Sequence, residues 1–313
     1  MVNGRAFARQ GEITMTREHD GAHPLAARPE PHPEGDLGPQ RGREIRARKM
    51  SFPFGATIPR HWFVGSPFAT HMANGLNLLF PLGERFFVRS VRRYLDRIDD
   101  PELLAQVKGF IAQEVRHGME HERFFEILEA QGFRIRTYLR VYDAIAFGFL
   151  ERIFPDRLAL SVTVAAEHFT ATMAHTALTR DFLAKAHPVM RELFQWHAAE
   201  EIEHKSVAFD VLRKVDDSYA LRVAGLILAT STLMPFWFSA AIMLMVQDRE
   251  VSTGELLRDR RAIRDARRED NEQLKRAFVE YLRRDFHPSQ NDDAALARRF
   301  FEKLSQARAD AAE

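Results

Sequence analysis

Gln113-Glu114-Val115-Arg116-His117 and Glu200-Glu201-Ile202-Glu203-His204 carry one shared pattern, Glu-x-x-His, at two distant places in the chain. On an α-helix, residues three apart stand about 60° apart around the axis, so each glutamate and its histidine face a common point. A single copy is an ordinary surface ion pair in many Glu-rich helical proteins. Two copies, each preceded by a helix with a further glutamate, are far more specific. Glu84 precedes Glu114, and Glu167 precedes Glu201, by about the length of one helical hairpin.

The chain therefore reads as two hairpins, each giving one lone glutamate and one Glu-x-x-His. Packed as a four-helix bundle, they project four carboxylates and two imidazoles inward. That is the donor set of a dinuclear iron or manganese carboxylate site. The expected ligands are Glu84, Glu114, His117, Glu167, Glu201 and His204. Glu167 lies between Val164-Ala165-Ala166 and Phe169, where an ionised carboxylate is costly unless it meets a cation. His197 precedes Glu201 by four and His204 by seven, and shares their helix face as an additional ligand. His121, one turn beyond His117, is expected behind the ligands or in a substrate pocket. His168 points about 100° away from Glu167 and is not expected to bind. Glu200 is the fallback carboxylate if the register slips. Glu203 faces elsewhere.

Composition bounds the chemistry. Lys and Arg total 45 against 44 Asp and Glu, too even for a nucleic-acid binder held by bulk charge. With no cysteine, zinc-thiolate sites, iron–sulfur clusters, disulfides and Cys nucleophiles are excluded. Any metal must be held by His and carboxylate. No Gly-rich phosphate loop stands in a strand–helix setting, which argues against a nucleotide cofactor.

Helical periodicity runs from residue 52 onward with almost no strand alternation. It predicts helices at roughly 67–79, 82–98, 101–131, 135–153, 156–185 and 188–214. Breaks are expected at Pro81, Asp99-Asp100-Pro101, Gly132, Pro155 and His187-Pro188. The expected domains are a disordered N-terminal tail over 1–48, a helical metal-binding bundle over 49–222, an apolar helix over 223–246 and charged helices over 247–313. The tail is crowded with Pro, Gly and charge and lacks the apolar core of a secretory signal. The uncharged run from Val223 to Val246 is long enough to cross a hydrocarbon core of about 30 Å. Its Gly225, Ser231, Thr232 and Pro235 equally suit a helix buried in protein. Both readings, membrane-embedded and buried, stand.

With these motifs, the chain resembles the ferritin-like di-iron carboxylate superfamily. The string His197-x-x-x-Glu201-x-x-His204 is similar to that of di-iron arylamine N-oxygenases, which carry a third histidine ligand at that place. Over roughly residues 46–290 the chain also resembles a bacterial family described as predicted metal-dependent hydrolases. Arg48-x-Met50-x-Phe52-Pro53-Phe54, Gly83-Glu84-Arg85-Phe86-Phe87 and Phe286-His287-Pro288 carry that resemblance. The resemblance implies an all-α, ferritin-like four-helix bundle with extra helices. It places Glu84, Glu114 and His117 on one half of the site and Glu167, Glu201, His204 and His197 on the other. Glu114 and Glu201 would be the bridging carboxylates. The third histidine speaks against simple iron storage.

The function expected is that of an O2-activating oxidase or oxygenase on a small, hydrophobic organic substrate. The alternatives are a metal-dependent hydrolase using a two-metal-activated water, and a non-catalytic iron-handling protein. The cofactor expected is two Fe, with Mn, mixed Mn/Fe or Zn as alternatives. Expected partners are the substrate, O2 and an electron donor, with membrane contact through 223–246, a homodimer and no nucleic acid. The expected location is the cytoplasm, at the inner face of the membrane. Many of the 25 Phe flank the motifs. Some could line a dry pocket, though core packing accounts for most.

Overall fold

The computed structural model describes residues 44–310 apart from 56, 64 and 267. Among the described residues the regular structure is helical, with no strand and one isolated bridge between Phe63 and Ala186. The order is α1 (Pro67–Arg92), α2 (Pro101–Ala130), α3 (Arg136–Tyr142, continuing through a π-helical stretch Asp143–Leu150 to Ile153) and α4 (Asp156–Thr179). Then come α5 (Pro188–His204), α6 (Val207–Val215), α7 (Tyr219–Gln247), α8 (Thr253–Ala266), α9 (Arg268–Tyr281) and α10 (Ala294–Asp310).

Local chemistry sets the helix ends. The Ser66 hydroxyl accepts the Ala69 N–H and Pro67 opens α1, where a missing N–H costs nothing. Asp100 caps α2 by accepting the Glu102 and Leu103 N–H groups, again ahead of a proline. Gly132 ends that hairpin arm at φ 91°, with the Phe133 N–H returning to the Leu128 carbonyl.

Three expectations about breaks are corrected. Pro81 does not divide α1, which runs on to Arg92. The proline forfeits one backbone bond, but Leu78, Leu79, Pro81 and Glu84 are all buried, and their packing outweighs that loss. The helix expected over 156–185 stops at Thr179, and Asp181–Lys185 forms a 3₁₀ turn. Near that end the Thr172, Thr176 and Thr179 hydroxyls each bond the carbonyl four residues back, which weakens the ladder. The helix expected over 188–214 is interrupted after His204, where the buried Lys205 ammonium turns to the Asp293 carboxylate and the Asn291 carbonyl.

Of the stretch read as a tail, residues 1–43 lie outside the described residues. Its last residues pack on the helices. Ile45 is buried in the core, and Arg48 reaches carboxylates on α5.

Helix α1 lies along α2, and α4 along α5. Two apolar clusters hold these four helices. One gathers Val88, Val91, Leu103, Phe110, Leu160 and Val207. The other gathers Phe52, Leu78, Phe124, Leu128, Leu193 and Trp196. In α1 and α2, Glu84, Glu114 and His117 fall between the stretches feeding the two clusters, so a buried polar layer lies between two apolar ones.

Helix α7 covers α1 and α4. It is the one helix among the described residues long and apolar enough to cross a membrane, by length and composition. One side is pressed on protein. A Cβ at Gly225 would lie 2.5 Å from the Ser161 carbonyl oxygen of α4, and one at Gly75 of α1 would lie 2.8 Å from the Ala241 nitrogen of α7. The other side, with Ile227, Phe238, Ile242 and Val246, is exposed. Because the clash at Gly225 is with backbone, Gly225→Val must push α7 outward. The expected cost is about 1–3 kcal/mol, the usual range for overpacking, read as a lowered midpoint in denaturant unfolding.

Candidate metal centre

Glu84 comes from α1, Glu114 and His117 from α2, Glu167 from α4, and His197, Glu201 and His204 from α5. All seven are buried, none more than 4 % exposed. The structure brings them to one place. His204 Nε2 lies 3.1 Å from Glu114 Oε1, 3.3 Å from Glu167 Oε2 and 3.5 Å from Glu201 Oε1. His117 Nδ1 lies 3.9 Å from Glu114 Oε1 and 3.8 Å from Glu201 Oε1. His197 Nε2 lies 3.0 Å from Glu201 Oε1 and 3.7 Å from Glu84 Oε1. Single donor atoms of Glu84, Glu114 and His117, and of Glu114, Glu201 and His204, lie within 4.8 Å of one another. Small size at one contact admits Glu84: a Cβ at Gly118 of α2 would lie 3.0 Å from its Oε2.

Each imidazole is turned by a partner outside this group. A carboxylate only accepts, so His117 donates its Nε2–H to Glu200 Oε2 at 3.0 Å, which leaves Nδ1 bare toward the site. Gln113 donates its amide to Glu203 Oε2 at 2.9 Å and to the Arg46 carbonyl at 3.2 Å. Its Oε1 then accepts His204 Nδ1–H at 2.9 Å, leaving His204 Nε2 bare. His121 bonds Asn77 Oδ1 through Nδ1 at 2.5 Å and His197 Nδ1 through Nε2 at 2.6 Å, and His197 Nε2 is thereby turned inward, where it meets Glu201 Oε1 at 3.0 Å. Metal-binding histidines are oriented by such outward bonds.

Arg48 closes this outer ring. Its guanidinium forks onto Glu203 at 2.6 and 2.7 Å, and both its backbone N–H and Nη1 reach Glu200 Oε1 at 3.2 Å. Glu200, the fallback ligand, thus serves behind His117. Glu203 holds Gln113 and Arg48. His168 bonds the Ala277 carbonyl, away from the centre. Sequence reasoning assigned no role to Gln113, Arg48 or Asn77. Gln113 adjoins the first motif, and Arg48 opens the Arg-x-Met-x-Phe-Pro-Phe stretch, but only the folded contacts disclose their tasks.

The electrostatics call for positive charge. Burial pushes Glu84 and Glu114 well above the usual carboxylate range, and neighbouring carboxylates push them further. Burial, then Glu201, lifts Glu167 to about 7. Burial also raises Glu201, but His204 and His197 more than offset it and hold Glu201 well below the usual range. Burial lowers His204, yet Glu201, Glu114 and Glu167 together draw its imidazolium well above the usual range. Burial, then His197, depresses His117. Both oxygens of Glu84, Glu114 and Glu167, with His117 Nδ1 and His204 Nε2, are buried without a hydrogen-bond partner among the described residues. A buried donor set left this way is costly unless a cation meets it. The residues fit divalent metal.

Two cavities reach this layer. One of about 410 Å³, bordered by Phe80, Met173, Phe194 and Trp237, reaches His197 and Glu201. One of about 110 Å³, between α1, α3, α4 and α7, is lined by Phe86, Phe87, Phe147 and Phe236 and reaches Glu84. Of the phenylalanines near the motifs, Phe86, Phe87 and Phe194 line these spaces. Phe110, Phe124, Phe125, Phe169 and Phe209 are buried in the cores. A separate convergence, His61 and His71 on Asp248 Oδ2 at 2.6 and 2.8 Å, ties the segment before α1 to the end of α7. Arg60 already supplies a cation beside that carboxylate, at 3.8 Å.

A family model described as predicted metal-dependent hydrolase matches residues 46–292. No curated protein and no solved structure matches the chain.

Two outcomes follow from this geometry. An incoming ion must displace the proton that Glu167 holds below about pH 7. Affinity is therefore expected to fall as pH drops through that value, with proton release seen as calorimetric heats that track buffer ionisation enthalpy. Replacing an outward partner, by Gln113→Ala or Glu200→Ala, is expected to weaken metal binding about 10–100-fold, measured by chelator competition on folded protein.

Proposed function

The chain belongs to the family of predicted metal-dependent hydrolases, and from that premise we propose a dinuclear metal enzyme of ferritin-like build. Glu84, Glu114 and His117 would hold one ion, with His197 beside them at 3.7 Å from Glu84 Oε1, and Glu167, Glu201 and His204 would hold the other. The observation that carries this reading is the buried layer in which His117 Nδ1, His204 Nε2 and both oxygens of Glu84, Glu114 and Glu167 find no hydrogen-bond partner among the described residues.

We read the reaction as O2-dependent oxidation of an apolar small molecule. Four carboxylates against three imidazoles suit redox-active iron or manganese better than a softer donor set would. Reduced iron bound here supplies the electrons for dioxygen activation, and an outside donor must renew them. The protein's part is positional. Glu200 and Gln113 fix the proton positions of His117 and His204, and His121 holds the His197 ring in place. The Phe-lined cavities seat an apolar substrate beside Glu84 and Glu201 and keep water away.

A second reading is favoured by the family's description: hydrolysis of an apolar ester or amide. The two ions would then lower the pKa of a water and orient the carbonyl. The same residues hold the ions in either case.

Metal analysis of the purified protein beside Glu167→Ala and His204→Ala tests the centre. About two ions per chain are expected in the parent and clear loss in both variants; full occupancy in both would remove the assignment. The reactions separate when the iron-loaded protein is reduced and exposed to oxygen. Oxygen uptake with a returning near-ultraviolet band is expected. Cleavage of acyl nitrophenyl esters by the zinc- or manganese-loaded protein, without oxygen uptake by the iron form, would favour hydrolysis instead.

A further inference from the structure

Two exposed apolar rows run side by side on the outside of the molecule. On α3, Val141, Ile145, Phe149 and Ile153 are each 44 % exposed or more. On α7, Ile227, Phe238, Ile242 and Val246 are exposed, and of that helix's most apolar 18-residue window only 22 % is buried. The helices are adjacent and antiparallel. The Arg134 N–H bonds Gln247, the Tyr138 hydroxyl reaches Ser239 and the Phe236 carbonyl, and the Tyr142 and Phe236 rings lie 4.7 Å apart. Contacts thus advance along α3 while they recede along α7.

Arginines outnumber acids around this face. Arg134 and Arg140 stand near the start of α3 and Arg152 at its end, all exposed and paired with no carboxylate among the described residues. Asp143 is the exposed acid on α3, and α7 carries no charge after Arg222. An apolar strip with arginines at its ends fits the headgroup and acyl boundary of an anionic bilayer, where the guanidinium groups meet lipid phosphate. A second copy of the same face would bring arginines toward arginines with few acids to answer them.

The smaller cavity lies between these two helices. Its wall includes Ala146, Phe147 and Leu150 of the π-helical stretch, with Thr232, Leu233 and Phe236 of α7, and Glu84 of the buried layer. Single π turns inside α-helices recur at functional sites.

We propose that the apolar rows of α3 and α7 seat the protein on the surface of an anionic lipid bilayer. The cavity between them takes an apolar chain from that bilayer toward Glu84. The second part rests on the metal-enzyme reading; the docking itself does not. The substrate class is accordingly a membrane-resident acyl or isoprenoid compound. One side of α7 stays pressed on α1 and α4, so the protein lies in the lipid surface.

The full chain is floated with vesicles of phosphatidylcholine alone and of phosphatidylcholine with phosphatidylglycerol. Binding to the mixed vesicles is expected, and its loss with Phe149→Glu plus Ile242→Glu. Arg140→Gln and Arg152→Gln should each weaken binding about fivefold, as expected for one basic residue at an anionic surface. An unchanged midpoint in denaturant unfolding shows that these variants are folded. Absence of vesicle binding by the parent, or undiminished binding by the glutamate variant, overturns the proposal. So does a dimer in light scattering that the glutamate variant dissolves while vesicles remain unbound. For the cavity, the probe is cis-parinaric acid supplied in the vesicles. Its fluorescence gain is expected to vanish in Thr232→Trp while flotation persists, and retention of the gain overturns the route. Metal loss in Glu167→Ala is scored separately, so failure of the metal reading leaves the flotation result standing.

Discussion

Charge without water governs this structure. Glu84, Glu114, Glu167 and Glu201 converge in a layer sealed by apolar clusters on either side, and only a cation or a proton can balance them there. Burial lifts three of these carboxylates, and the fourth stays ionised beside His204 and His197. Such an arrangement weakens a purely protein interior, since buried like charges repel and their lone pairs find no donors. It becomes favourable when divalent ions occupy the space. Stability and activity are therefore coupled through the same atoms.

The histidines would be poor ligands if free to turn. Each is fixed by a bond pointing outward, and those bonds form a connected ring from His117 through Glu200, Arg48, Glu203 and Gln113 to His204. The ring joins α2 to α5 by way of the segment before α1. Its members are polar residues that composition alone would assign to a solvated face. Their burial follows from the role they play behind the donors.

The all-α class and the convergence of four helices were legible because period and motif repeat twice in the chain. Glu-x-x-His fixes a face, and the hairpin spacing supplies a partner glutamate without knowledge of tertiary contacts. His197 was legible for the same reason, lying four and seven residues from its neighbours on one helix. The ring was not, because Arg48 lies more than 150 residues from Glu200 and Glu203 and no local period links them. Pro81 misled because the rule for prolines weighs one lost backbone bond and cannot see the packing that holds α1 straight through it. Helix α7 defied a choice between lipid and protein because its sequence is apolar nearly all round, while the side that touches α4 and α1 is marked only by its Gly225 and by Gly75 across from it on α1.

The placement of Arg48 bears on the order of assembly. Synthesis delivers this arginine before any of the donors, yet its partners arrive only with α5. Until that long loop closes, Glu200 and Glu203 lack the guanidinium that fixes them behind His117 and Gln113, and an ion captured by the first hairpin alone would meet a His117 ring still able to rotate. Closing such a distance is slow relative to forming a hairpin. The N-terminal strap thus acts as a late latch: correct ion coordination belongs to the end of folding rather than to its nucleus.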